Sequence, residues 1–150
     1  MPQKTLQEII NKVAVLVLNQ EEASILTKFS YHQEKEIFKK LDDICPGIVI
    51  MTKGPEGAVV SVGKHIFEAK SPAIKVKDRT GAGDAFGSGF VTGFIQSKGN
   101  IEEALQLGFA NGLSCITQWG AKAGLLKKGD IFQRVAIKKE ACSDGKCKVK

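Results

Sequence analysis

At 150 residues the chain has room for one ordinary domain with a buried core, and its balance of 43% hydrophobic and 25% charged residues excludes disordered and fibrous classes. The formal net charge of +6 does not by itself call for nucleic acid. Arg134, Lys138, Lys139, Lys146, Lys148 and Lys150 crowd the C-terminal end against only Glu140 and Asp144, with no interleaved aromatic residues to stack on bases.

The longest uncharged run, Ala104 to Ala121, is broken by Gln106, Asn111, Ser114, Thr117 and Gln118 and follows a helical period, so no membrane span is expected. The opening "MPQKTLQEII" lacks the apolar core and cleavage site of a secretory leader, and a cytoplasmic location is the default expectation. Cys45 and Cys115 sit in apolar segments that suit reduced, buried thiols. Cys142 and Cys147 lie in a polar tail whose spacing, with no histidine nearby, fits zinc poorly.

In chain order, a short N-terminal helix leads into "VAVLVL", Val13 to Leu18, a continuous apolar run that reads as a strand buried on both faces. Helices are expected over Gln20 to Lys28 and Gln33 to Asp43, and "GIVIMT" repeats the buried-strand pattern. This β-α-β alternation implies an α/β sheet. In "KGPEGAVVSVGKHIFEAK", Gly54-Pro55-Glu56-Gly57 reads as a turn and Gly63-Lys64 as a hairpin, which adds antiparallel members. Helical patterns return over Gly81 to Ser97 and Ile101 to Gln118, separated by "KGN", and a last helix is expected near Asp130 to Ile137. A central strand so near the start has little sequence upstream to supply its neighbours, so the chain reads as the back half of a larger protein. His32 and His65 fall in no motif and read as surface or strand-edge residues.

The stretch "DRTGAGDAFGSGF", Asp78 to Phe90, is the most informative. Its glycines place unpaired N–H groups at a helix start, where the helix dipole favours an anion. The spacing matches neither G-x-x-x-x-G-K-[ST] nor G-x-G-x-x-G. Asp84 alone could simply complement the dipole in the first turn, but each glycine inside a helix costs about 0.5–1 kcal/mol relative to alanine. Glycines at 81, 83, 87, 89 and 93 therefore need a purpose, either close packing or approach of a ligand.

Taken together, Asp78, Thr80, Gly81, Ala82, Gly83, Asp84 and Phe86 resemble the D-x-T-G-A-G-D-x-F pattern of the PfkB, or ribokinase-like, family of carbohydrate kinases. The resemblance implies a three-layer α/β/α sandwich, mostly parallel with antiparallel edge strands, of which this chain is the C-terminal portion. It implies that residues 1–137 are the nucleotide-binding, catalytic half, while 138–150, outside the resemblance, read from their charge as a basic, disordered tail. It also implies that Asp84 is the catalytic base and that Gly81, Ala82 and Gly83 form an anion hole for the transferred phosphoryl group. The chemistry is coherent: a hydroxyl becomes a competent nucleophile when a carboxylate within hydrogen-bond reach takes its proton.

Further positions follow from the same resemblance. "NQEE" reads as a capping box, and in the family an N-x-x-E motif there helps hold Mg²⁺ and phosphates, which nominates Asn19 and Glu22, the latter through a metal-bound water. "TKGPEG" reads as a bare turn, and the family's nucleotide-lining K-G-x-x-G nominates Lys53, Gly54 and Gly57. Asn111 falls where the family lines its adenine pocket. Asp78, Thr80, Cys115, Gln118, Gly120 and Gly124 align with a monovalent-cation site of some members, so K⁺ joins ATP and Mg²⁺ among the implied cofactors. Arg79 stands where the pattern has a small residue. The implied activity is transfer of the γ-phosphate of ATP to a hydroxyl of a sugar or nucleoside, in a protein that could form a homodimer at full length. The residues leave open a catalytically incomplete nucleotide-binding fragment, because the sugar-binding half is absent.

Overall fold

The computed structural model describes residues 3–141, in two compact units. The first takes in the described residues up to Glu68 together with 138–141, and the second is Ala69–Ile137. Cys142 and Cys147, and the rest of the basic tail, lie outside the described residues.

The first unit opens with helix α1 (Gln3–Ile10), followed by strand β1 (Val15–Asn19), helices α2 (Gln20–Thr27) and α3 (Glu34–Ile44), and strand β2 (Ile48–Thr52). A 3₁₀ turn over Gly54–Glu56 leads to β3 (Ala58–Val62) and β4 (His65–Ala69), and β5 (Ile137–Ala141) completes one five-stranded sheet ordered β1-β2-β3-β4-β5. β1 and β2 are parallel, with Val15 opposite Ile48 and Asn19 opposite Thr52. β2 and β3 are antiparallel, with Ile50 opposite Val60. The parallel pair is joined by helices, as a parallel crossover requires. The antiparallel member follows the turn that Gly54-Pro55-Glu56-Gly57 predicts.

The core of this unit is α3 against the sheet. Ile37, Phe38 and Leu41 recur at helical spacing on the buried face of α3, and they join Val49, Met51, Val59 and Ile66 from three strands. Cys45 is a buried free thiol, as its apolar setting predicts. β1 departs from expectation: Val15, Leu16, Val17 and Leu18 are only half-buried, whereas Ile48–Met51 of β2 are fully buried. β1 ends the strand order among the described residues, so one of its edges pairs with no described strand.

The second unit is built on α4 (Ala82–Gln96) and α5 (Ile101–Ile116). Asn100 caps α5, its Oδ1 accepting from the Glu103 N–H at 3.1 Å. Phe86 meets Phe109 edge-on at 5.3 Å between centroids and stacks with Phe90 at 6.5 Å. The left-handed Lys98 and Gly99 make the reversal between the helices, in the predicted "KGN" break.

Two expectations are corrected. Asp130–Ile137 is not a helix. Asp130 closes a turn instead, accepting from the Lys127 N–H at 2.8 Å, and residues 131–136 beyond it form neither helix nor strand. Gln106 holds that segment in both directions, donating to the Val135 carbonyl and accepting from the Val135 N–H, each at 2.8 Å. An amide that satisfies a backbone donor and acceptor together replaces the i→i−4 bonds a helix would have made. The disordered-tail expectation fails over its first residues as well, since Lys138–Ala141 belong to β5. There the Lys139 ammonium lies 5.3 Å from the centre of the Phe67 ring, and Lys138 pairs with Glu140. Lysines on a terminal strand are a common guard against further strand pairing.

Candidate functional site

Within the first unit, the parallel register puts the ends of β1 and β2 side by side, Asn19 opposite Thr52. The two motifs that follow these strands therefore share one end of the sheet. Asn19 Oδ1 accepts from the Glu22 N–H at 2.8 Å and Glu22 Oε2 accepts from the Asn19 N–H at 2.9 Å, a complete capping box at the start of α2. The capping reading of "NQEE" is realised. Both residues are also exposed, so the pair presents a carboxylate to solvent at a helix N-terminus.

Lys53 has a partner that its sequence neighbourhood does not reveal. Its ammonium lies 3.0 and 3.3 Å from the two carboxylate oxygens of Glu34, at the start of α3, with both side chains largely covered. Next to it, Gly54 and Gly57 both have positive φ, and the Lys53 N–H donates to the Gly57 carbonyl at 2.8 Å. Lys53, Gly54 and Gly57 thus form one tight turn, docked on α3.

The second unit gathers most of the remaining candidates. Gly81 has φ +79°, and a Cβ placed there would lie 2.7 Å from the Ala121 Cβ, so conformation and space both require glycine. This left-handed residue is the N-cap of α4, and no side chain caps the helix. The Ala82 N–H donates to the Arg79 carbonyl at 3.2 Å and the Ala85 N–H to the Gly81 carbonyl at 2.8 Å. The N–H groups free to meet an anion are therefore those of Gly83 and Asp84, since the first turn of a helix has no internal acceptors for them. Ala82, named with Gly81 and Gly83 as anion-hole backbone, has its donor committed within the turn. Gly83 and Asp84 are exposed, so the N–H groups and the carboxylate of that turn reach solvent together.

Behind this turn lies a cluster made from the residues aligned with a monovalent-cation site. Asp78 Oδ1 accepts from the Thr80 N–H at 2.9 Å and hydroxyl at 2.7 Å, and Oδ2 accepts from the Gly120 N–H at 2.9 Å. The buried Cys115 thiol lies 3.6 Å from the Thr80 carbonyl and 3.4 Å from that of Ala121. The Gln118 N–H donates to the Cys115 carbonyl at 3.3 Å, and a Cβ on Gly124 would lie 2.2 Å from the Ser114 carbonyl. The six candidates are brought together. Among the described residues, no group of three or more His, Cys, Asp or Glu side chains is placed to hold a metal.

The three donors on Asp78, foremost the Thr80 N–H and hydroxyl and then the Gly120 N–H, hold its carboxyl below the ordinary value of 3.8. A depressed carboxyl contributes stability that is fully present above its ordinary value and lost as pH falls through the lower folded-state value. The tie between Thr80 and Gly120 is therefore expected to persist at pH 4 and to release in stronger acid. The check is the Gly120 amide proton followed by NMR, which should shift upfield as the bond is lost. A resonance that titrates at or above the ordinary value would contradict the geometry.

Asn111, nominated for an adenine pocket, is buried, and its amide is engaged within the unit. It donates to the Ala85 carbonyl at 2.7 Å and the Ser88 hydroxyl at 3.3 Å, and it accepts from the Leu126 N–H at 2.9 Å. No helix of the described residues is long and apolar enough to cross a membrane.

Comparison with known proteins is consistent with this geometry. The family model described as "pfkB family carbohydrate kinase" matches residues 1–128. An uncharacterized sugar kinase of Archaeoglobus fulgidus is 31% identical over 125 residues, covering 83% of this chain and 48% of that protein. An ATP-dependent 6-phosphofructokinase of Thermoanaerobacterium thermosaccharolyticum is 35% identical over 105 residues, covering 70% of this chain and 32% of that protein. Among solved structures, a fructokinase from Vibrio cholerae with fructose, ADP and calcium bound superposes with a TM-score of 0.70 at 27% identity, covering 81% of this chain and 41% of that one. The chain spans about half or less of the length of these relatives. Its fold is ribokinase-like, and the chain belongs to the pfkB family of carbohydrate kinases.

Proposed function

We propose that the chain carries the nucleotide-binding and phosphoryl-transferring part of an ATP-dependent kinase whose acceptor is a hydroxyl of a sugar or nucleoside. One observation supports this reading above the others: an exposed carboxylate, Asp84, in the first turn of a helix whose N-cap is left-handed glycine and whose N-terminal N–H groups no side chain caps. In this assignment the N–H groups of Gly83 and Asp84 meet the oxygens of the transferred phosphoryl group, with Gly81 and Ala82 setting the turn. The Asp84 carboxylate accepts the proton of the attacking hydroxyl as the new O–P bond forms, and ADP leaves.

Asn19 and Glu22 suit a Mg²⁺ site of the usual kind, in which one carboxylate acts through metal-bound water and substrate phosphates supply the other ligands. When bound, Mg²⁺ would neutralise charge on the phosphate oxygens. Lys53, Gly54 and Gly57 are assigned to the wall of the nucleotide site, and the Asp78 cluster to a K⁺ whose ligands would be carbonyls. A cytoplasmic location and a small-molecule acceptor, without nucleic acid or membrane, complete the proposal.

A second reading rests on the length of the relatives. A chain spanning about half of them can hold a nucleotide without holding an acceptor. Two measurements separate the readings. ATP with Mg²⁺ should raise the melting temperature of the chain in proportion to the logarithm of its concentration above Kd, and a coupled assay should detect ADP release with at least one sugar or nucleoside. Binding without turnover over a panel of acceptors supports the incomplete fragment. Absence of ATP binding rejects both.

A further inference from the structure

The deployment of Asn111 points beyond the roles given above. Its amide makes three hydrogen bonds, and their partners fix which end is which: the Ala85 carbonyl can only accept and the Leu126 N–H can only donate. Both amide hydrogens are thereby committed, one to Ala85 and one to Ser88, and Oδ1 holds Leu126. Ala85 immediately follows Asp84. One helical turn further along α5, on the same face, Cys115 meets the carbonyl of Thr80, which precedes Gly81. The two side chains therefore hold the Thr80–Ala85 turn from both ends. Asn111 also holds the following loop at Leu126, and the single Cys115 S–H is shared between the Thr80 and Ala121 carbonyls. Glycine at 112, between Asn111 and Cys115, lets the Ala82 carbonyl and the Phe86 Cβ come within 3.4 Å of where its own Cβ would stand.

We propose that Asn111 is a positioning residue: it fixes the first turn of α4, and so the Asp84 carboxylate and the Gly83 and Asp84 N–H groups, rather than touching the base of the nucleotide. The proposal rests on the reading of that turn as the phosphate-facing one. Its mechanical content, the clamp on the turn, can be tested without it.

The test uses Asn111→Ala and the gentler Asn111→Ser in the full chain. Amide hydrogen exchange should accelerate about tenfold or more at the hydrogen-bonded amides of Ala85 and Leu126, as expected for loss of buried hydrogen bonds, while the last turn of α4 exchanges as before. Uniform acceleration over Ala69–Ile137 would mark an ordinary core residue, and no acceleration would mark an idle one. Either result overturns the proposal. Should Asn111→Ala fail to fold, Asn111→Ser carries the same comparison. Calorimetry with ATP and AMP supplies the second readout. A loosened turn weakens ATP about tenfold and leaves AMP unchanged, because only ATP presents a γ-phosphate to it. Equal losses for both nucleotides would place Asn111 at the base and overturn the proposal. If the wild-type chain binds neither nucleotide, the kinase reading fails, and the exchange profile still decides whether Asn111 clamps the turn.

Discussion

Asp84→Asn is expected to lower phosphoryl transfer by about two to four orders of magnitude, the usual contribution of a positioned general base, while leaving ATP binding in place. Asparagine preserves the shape of the side chain and its place in the first turn of α4, but its amide oxygen is a far weaker proton acceptor than a carboxylate. The substitution separates the two purposes the sequence allows for this residue. If Asp84 only complements the helix dipole, its loss costs about 0.3–1 kcal/mol of stability and nothing in turnover. If it is the base, turnover collapses and the melting temperature barely moves. Removing a negative charge beside bound phosphates would, if anything, tighten ATP. Melting curves, ATP calorimetry and ADP release on the same variant distinguish the outcomes, and near-normal turnover would withdraw the base assignment.

Helices and inner strands were legible because each carries its period locally. Ile37, Phe38 and Leu41 announce the buried face of α3, and Asn19 with Glu22 announces a helix start that the capping box confirms. What escaped depends on partners far away in the chain. The Lys53–Glu34 ion pair joins residues 19 positions apart, and Gln106 reaches Val135 across 29. Nothing in "DIFQRVAI" says that an amide on α5 will take up the backbone of Val135, and its own pattern reads as helical. β5 was missed for the same reason: "IKKEA" has the composition of a solvated tail and becomes a strand only by pairing. Half-burial of β1 follows from its place at the end of the strand order, which an apolar run alone cannot state. Near Gly81, sequence put Asp84 in the first turn of a helix, as α4 has it, but could not give the hydrogen bonds around it. The donor of Ala82 is used within the turn and the amide of Asn111 is fully engaged, and only geometry assigns either.

The glycines of α4 divide into two kinds, and the division predicts opposite outcomes for substitutions only six residues apart. At Gly89 a Cβ would lie 2.6 Å from the Leu107 carbonyl, 2.9 Å from the Asn111 Cβ and 3.1 Å from the Gly108 Cα, so α4 and α5 touch there through backbone. Neither side can yield by rotating a side chain. Gly89→Val is therefore expected to force the helices apart and destabilise the chain by about 3 kcal/mol or more, a fall in melting temperature on the order of 10 °C. At Gly83 nothing lies within 4 Å of where a Cβ would stand and φ is not positive, so Gly83→Ala meets no packing obstacle. Alanine should raise helix stability by about 0.5–1 kcal/mol. Yet Gly83 is exposed in the turn whose N–H groups are assigned to the phosphoryl oxygens, and a methyl group there would obstruct close approach of an anion. Gly83→Ala is thus expected to melt at or above the wild-type temperature and to bind ATP more weakly. A Gly89→Val chain that melts like wild type would refute the close packing of the helices. A Gly83→Ala chain that binds ATP normally would remove the main reason for reading that glycine as functional rather than as a residue the helix merely tolerates.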